Sequence, residues 1–142
     1  MQANDFGDSI VRSLGDLTTG SFASKALWIY GSLMWLACGL TYLLSLNDAR
    51  TLREVGIWVK PMKFMAATAL FAWTTVWLSD WANASVSHSQ AFTYICSVII
   101  LTSLFEVTYI SYQASQGAAS HYNTSDPWHA FMFGMMGIAA VA

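Results

Sequence analysis

Four apolar stretches separated by polar loops set the pattern of this chain. The first runs over 26–46, ALWIYGSLMWLACGLTYLLSL, and stops at Asn47 and Asp48. Those 21 residues make roughly 31 Å of helix, enough to cross a hydrocarbon core of ~30 Å. A second stretch, 62–79, follows Pro61, which suits the first turn of a helix because its missing N–H costs nothing there. Trp73, Trp77 and Trp81 lie toward its far end. The polar run SDWANASVSHSQ then leads into a third stretch, 91–112. Asp126 and Pro127 predict the start of a fourth, 128–142, with the aspartate as N-cap and the proline at the first helical position. Its 15 residues span only about 22 Å, so the chain either ends inside the bilayer or belongs to a longer protein.

Ahead of these stretches, residues 1–25 are polar, yet Ile10, Val11, Leu14 and Leu17 fall at helical spacing behind Ser9. The spacing predicts a short amphipathic helix on a membrane surface; a loosely ordered tail is the alternative. Asp5, Asp8, Arg12, Asp16 and Lys25 interrupt this segment, so no cleavable signal peptide is visible. The fold expected is all-α. It is an integral membrane bundle of about four transmembrane helices over 26–142, preceded by the 1–25 segment.

Composition agrees. Hydrophobic residues make up 56% of the chain and charged ones 10%, less than half of the ~25% usual in soluble domains. The mean hydropathy is +0.46. A net charge of −2 leaves no basic patch for nucleic acid. Cys38 and Cys96 both sit in apolar runs and read as small packing residues.

Charge also orients the bundle. Four of the six Lys and Arg residues lie in or beside the first loop, and none follows Lys63. The positive-inside rule makes that loop cytoplasmic, which puts the N-terminus outside and the 113–127 loop inside. Arg12 and Lys25 oppose this.

Candidate chemistry starts at Glu106, which lies in SVIILTSLFEVTYISY, apolar on both sides. A carboxylate at membrane depth is costly unless protonated, paired or facing water, so it marks a functional site or a neutral hydrogen-bonding group between helices. The second helix starts where the third ends, so Lys63 is its expected partner, able to reach inward on a flexible stem; Lys60 reads as a headgroup anchor. Gln113 lies two turns beyond Glu106 on the same face. Gln116 or Gly117, and then Ser120, would continue the stripe as one wall of a wet cleft, or as interhelical hydrogen bonds. His121, Tyr122, Asn123 and His129 follow. A metal site from His121, His129, Glu106 and Asp126, or haem ligation by a histidine pair, is conceivable, without an HExxH or CxxC pattern to carry it. His88 reads as an exposed loop residue. Trp73 and Trp77, one turn apart, could wall a pocket or a pigment or quinone surface, or simply pack in the membrane.

The motif Lys60-Pro61-Met62-Lys63-Phe64, with Gln113-x3-Gly117-x2-Ser120-His121-Tyr122-Asn123, resembles a pattern found in uncharacterised bacterial multi-pass membrane proteins. In those, K-P-x-K-F opens a helix, a membrane-embedded Glu follows, and then Q-x3-G-x2-S-H-[FY]-N. The resemblance implies an inner-membrane topology and a choice of residues, with no established activity attached.

The leading expectation is an intramembrane polar site, opening to the cytoplasm, that binds or passes a small polar ligand, an ion or a proton. Lys63, Glu106, Gln113, Ser120, His121, Asn123 and His129 would line it. The alternatives are a non-catalytic subunit of a larger membrane complex or homo-oligomer, and a haem- or metal-dependent redox protein. No catalytic residue or cofactor is assigned.

Overall fold

The computed structural model of the chain describes residues 20–81, 84–118 and 127–141. It is mostly helical, in the order α1 (Phe22–Ser45), β1 (Thr51–Leu52), β2 (Val55–Gly56), α2 (Val59–Trp81), α3 (Ala84–Ser87), α4 (Gln90–Ser115) and α5 (Pro127–Val141). The amphipathic helix expected within 1–25 falls mainly on residues outside those described.

Local chemistry sets the helix ends. Ser21 caps α1, its hydroxyl accepting from the Ser24 N–H at 3.2 Å, and Ser89 caps α4 by accepting from the Phe92 N–H at 3.1 Å. Both relieve an N–H that a helix start leaves unpaired. Pro61 lies in the first turn of α2 and Pro127 opens α5, where proline loses no helical hydrogen bond. Each long helix runs a few residues past its apolar core at one or both ends, because such caps sit in the polar flanks.

α1 and α2 form an antiparallel pair, and α4 packs on both. On α1 the buried positions Ala23, Leu27, Tyr30 and Met34 recur at spacings of three and four, so one face meets Met65, Ala69 and Ala72 of α2 and Cys96 and Val107 of α4. Polar contacts mark three levels of this packing. Ser24 and Ser79 hydroxyls meet at 3.3 Å at one end, and the Tyr30 hydroxyl meets Ser103 Oγ at 2.9 Å in the middle. At the other end the Cys38 thiol donates to the Met62 carbonyl at 3.5 Å. Cys96 is buried in the core as an apolar residue.

The outward faces are apolar too. Ile29, Leu33, Leu36, Leu40 and Leu44 of α1 and Tyr94, Ile95, Leu101 and Leu104 of α4 are all exposed. A helix in water would carry polar residues there. α1 and α4 are both long and apolar enough to cross a membrane.

The tryptophans do not form the wall their spacing suggested. Trp73 leaves Trp77 and lies on α1, stacked on Trp28 (centroids 6.2 Å apart, 21° between planes) and tilted against Trp35 (6.2 Å). Trp77 instead meets Trp81 edge to face at 5.9 Å. Gly31 makes the first arrangement possible. A Cβ there would stand 2.6 Å from Trp73 Cδ1 and 3.2 Å from the Ala69 carbonyl oxygen, so only hydrogen fits beneath the indole.

Candidate functional site at the hairpin end of the bundle

The charged first loop is more structured than its polarity predicts. Thr51 pairs with Gly56 and Leu52 with Val55 in a two-residue hairpin, and both turn residues, Arg53 (φ 54°) and Glu54 (φ 65°), take the left-handed backbone. That is the twist-matched turn for a tight hairpin, here made without glycine. The base is knitted around Asp48, whose carboxylate accepts from Arg50 Nε at 2.9 Å, a guanidinium NH2 nitrogen at 2.8 Å and Trp58 Nε1 at 2.8 Å. The second guanidinium arm of Arg50 donates to the Ser115 carbonyl at 3.0 Å. A cation therefore meets the negative end of the α4 dipole, and a distant loop is tied to that helix.

The Arg50 guanidinium first, and then the Trp58 indole N–H, hold the Asp48 carboxyl well below the usual carboxylate range. A depressed folded-state pKa contributes stability that is complete above the unfolded value, about 4, and is lost as pH falls through the folded one. The protection factors of the residue 50–58 amides, with the intrinsic pH dependence of exchange divided out, are therefore expected to stay constant from about pH 8 to 5 and to fall below about pH 4. The D48N protein should exchange faster at neutral pH and lack the acid step. An identical pH profile in D48N would overturn this assignment.

α4 ends in the same place. Gly117 (φ 67°) takes the left-handed position, with its N–H on the Ala114 carbonyl (2.9 Å) and the Ala118 N–H on the Gln113 carbonyl (2.9 Å). This pair of bonds is the glycine-terminated helix stop that leaves α4 no further turn. The polar stripe expected to run along one helix from Glu106 to Ser120 is thus cut after Gln113. Gln116 is exposed, and Gly117 turns the chain away. Ser120, His121, Asn123 and Asp126 lie outside the described residues, as does the His129 side chain in the first turns of α5.

What remains is compact. Glu106 is half-buried on α4, and Lys60 is the cation within electrostatic reach of it among the described residues. Lys63, the expected partner, is exposed. The reason is helical phase: Lys60 and Phe64 share a face, the Lys60 ammonium lying 6.0 Å from the Phe64 ring, and Phe64 packs into the bundle while Lys63 points away. Periodicity around Pro61, Met65 and Ala69, all buried, carried that information in the sequence.

Above Glu106 on the same face of α4 come Tyr109 and Gln113, both buried. The Tyr109 hydroxyl and the Gln113 side-chain nitrogen have no hydrogen-bond partner among the described residues. Below it, Ser103 meets Tyr30. Ser103, Glu106 and Gln113 thus form a polar line over about 15 Å of helix, with Lys60 beside it. Its uppermost turn lies directly under the hairpin that Arg50 ties down. Such a line offers hydroxyl, carboxyl and amide groups at successive levels of one helix face. No protein family, curated protein or solved structure was found to match the chain.

Proposed function

We propose that the chain is a multi-pass membrane protein of about four spans, and that its polar site binds or passes a small polar ligand, an ion or a proton. Lys60 and Glu106 form the charge pair, and Gln113 is the ligand-facing amide. The observation that carries this reading is the Gln113 side chain. It is almost wholly buried, its N–H2 has no partner among the described residues, and it lies two turns from a carboxylate. Buried amide donors are paired as a rule, and one left open at the end of a polar line suits an incoming acceptor. Charge on the hairpin favours a cytoplasmic hairpin end and an outside N-terminus, in a bacterial inner membrane. The K-P-x-K-F and Q-x3-G elements of the sequence pattern both fall at this end, which also supports the choice of residues. Ser120, His121, Asn123 and His129 follow it in the chain and are proposed as the cytoplasmic rim.

Proteoliposomes loaded with a pH-sensitive dye test the reading. Acid pulses in the presence of different small ions and organic anions should give a flux that E106Q and K60M each lower by tenfold or more. K63M should leave it near the wild-type value. Equal flux in wild type and E106Q under every condition would overturn the site.

A second reading, an accessory subunit of a larger membrane complex, draws on the broad apolar faces of α1 and α4, which could equally meet protein partners. Its mark is a stoichiometric partner retained in native extraction. The redox reading rests on His121 and His129, and an absorption spectrum without a haem band would remove its haem form.

A further inference from the structure

Asp48 and Arg50 join the ends of three helices. Asp48 lies just beyond α1, Trp58 just ahead of α2, and Ser115 is the last residue of α4. The carboxylate accepts from Arg50 Nε at 2.9 Å, from a terminal guanidinium nitrogen at 2.8 Å and from Trp58 Nε1 at 2.8 Å. The other arm of the guanidinium donates across to the Ser115 carbonyl at 3.0 Å. We propose that the hairpin is a latch with Arg50 as its catch: residues 48–58 and 113–118 open as one unit, and opening gives access to Gln113. The role of that access rests on the polar-site reading above, whereas the coupled opening does not.

A weak point and a strained turn make this a latch and not a brace. Arg50 holds Asp48 through a bidentate contact between charged groups, but holds Ser115 through a single bond to a neutral carbonyl. The Ser115 side therefore gives first. On the hairpin side, Arg53 and Glu54 keep left-handed φ values of 54° and 65°. Side chains disfavour that backbone, which persists only where the surroundings impose it. Burial imposes little here, because residues 49–56 are exposed and Ile57 is the first buried residue of the loop. On the α4 side, the Gly117 N–H meets the Ala114 carbonyl and the Ala118 N–H meets the Gln113 carbonyl, each at 2.9 Å. Gln113 thus belongs to the unit through its own carbonyl. Its side-chain nitrogen is inaccessible in this closed form, so an incoming group reaches it only after the turn that anchors it has moved.

Native-state hydrogen exchange of the full chain, with intrinsic rates divided out, tests the coupling. The reporters are the Ile57 N–H, bonded to the Arg50 carbonyl, and the Gly117 and Ala118 N–H groups. R50M should lower the protection of all of them together, by roughly two- to tenfold, the range one hydrogen bond supplies. R53N/E54G installs the pair that such turns favour and leaves the net charge unchanged. It should raise protection several-fold at Ile57 and equally at Gly117 and Ala118, although the changes lie on the hairpin alone. A response confined to Ile57 in both variants would mean that the end of α4 frays independently, and would overturn the latch. Access is read with a water-soluble thiol reagent, its point of attachment located by peptide mass spectrometry. Position 113 should be modified several-fold faster in Q113C/R50M than in Q113C; equal rates would overturn the gating of Gln113. If E106Q flux equals wild type while the reporter amides still move together, the polar-site reading falls and the latch stands.

Discussion

Replacing Gly31 with alanine is expected to be the most damaging single change in the bundle, at a cost of about 1–3 kcal/mol. The new methyl would sit 2.6 Å from Trp73 Cδ1 and 2.9 Å from Trp73 Nε1. An indole can often swing aside, but this one is bracketed by Trp28 and Trp35, one on each side of Gly31 along α1. The remaining close atom, the Ala69 carbonyl oxygen at 3.2 Å, is backbone and moves only with α2. The helices must therefore separate. In a bilayer that loss is not recovered by driving apolar surface out of water, because lipid is as apolar as the helix face and close packing carries the association. Thermal unfolding in detergent measures the effect. G31A should melt lower than wild type, and G31V lower still. The double variant G31A/W73A should be less destabilised than the two single changes added together, since removing the indole makes room for the methyl. Additive losses would mean that Trp73 does not seat on Gly31.

The second large effect separates stability from function. Gln113→Met keeps side-chain length and removes an amide whose nitrogen is buried with no partner among the described residues. A buried unpaired polar group costs about 1–3 kcal/mol, so the Q113M protein is expected to melt at the same temperature as wild type or higher. If the amide is the ligand-facing group, the same protein should lose at least tenfold in flux or ligand affinity. A gain in stability with a loss of activity is what a binding group held in an unfavourable site gives. A fall in both would instead make Gln113 a structural residue with a partner beyond the described positions, and the polar site would then lack its outer end.

Glu106 stood out from the sequence alone because a carboxylate within SVIILTSLFEVTYISY has no ordinary reason to be there. Gln113 followed from it by periodicity. Which lysine lies on the inner face did not, because Lys60 and Lys63 flank the same proline and both satisfy the positive-inside pattern. The choice depends on which face of α2 turns inward, and that is settled by Pro61, Met65 and Ala69 packing against α1. Extending the stripe past Gln113 failed for a local reason. Gln116 or Gly117 is the next position of the expected stripe, but Gly117 takes a positive φ that ends the helix.

The order of helices, their approximate ends and the apolar character of their outer faces were determined by the sequence, because hydropathy over some twenty residues and a few capping side chains act locally. The hairpin within the charged loop, the tie from Arg50 to the end of α4 and the seat of Trp73 on Gly31 were decided by tertiary structure. Apart from the hairpin, which is a local turn, each joins residues tens of positions apart or depends on rotation about a helix axis. A helix apolar on all sides gives composition no means of choosing that rotation; close packing of particular side chains chooses it.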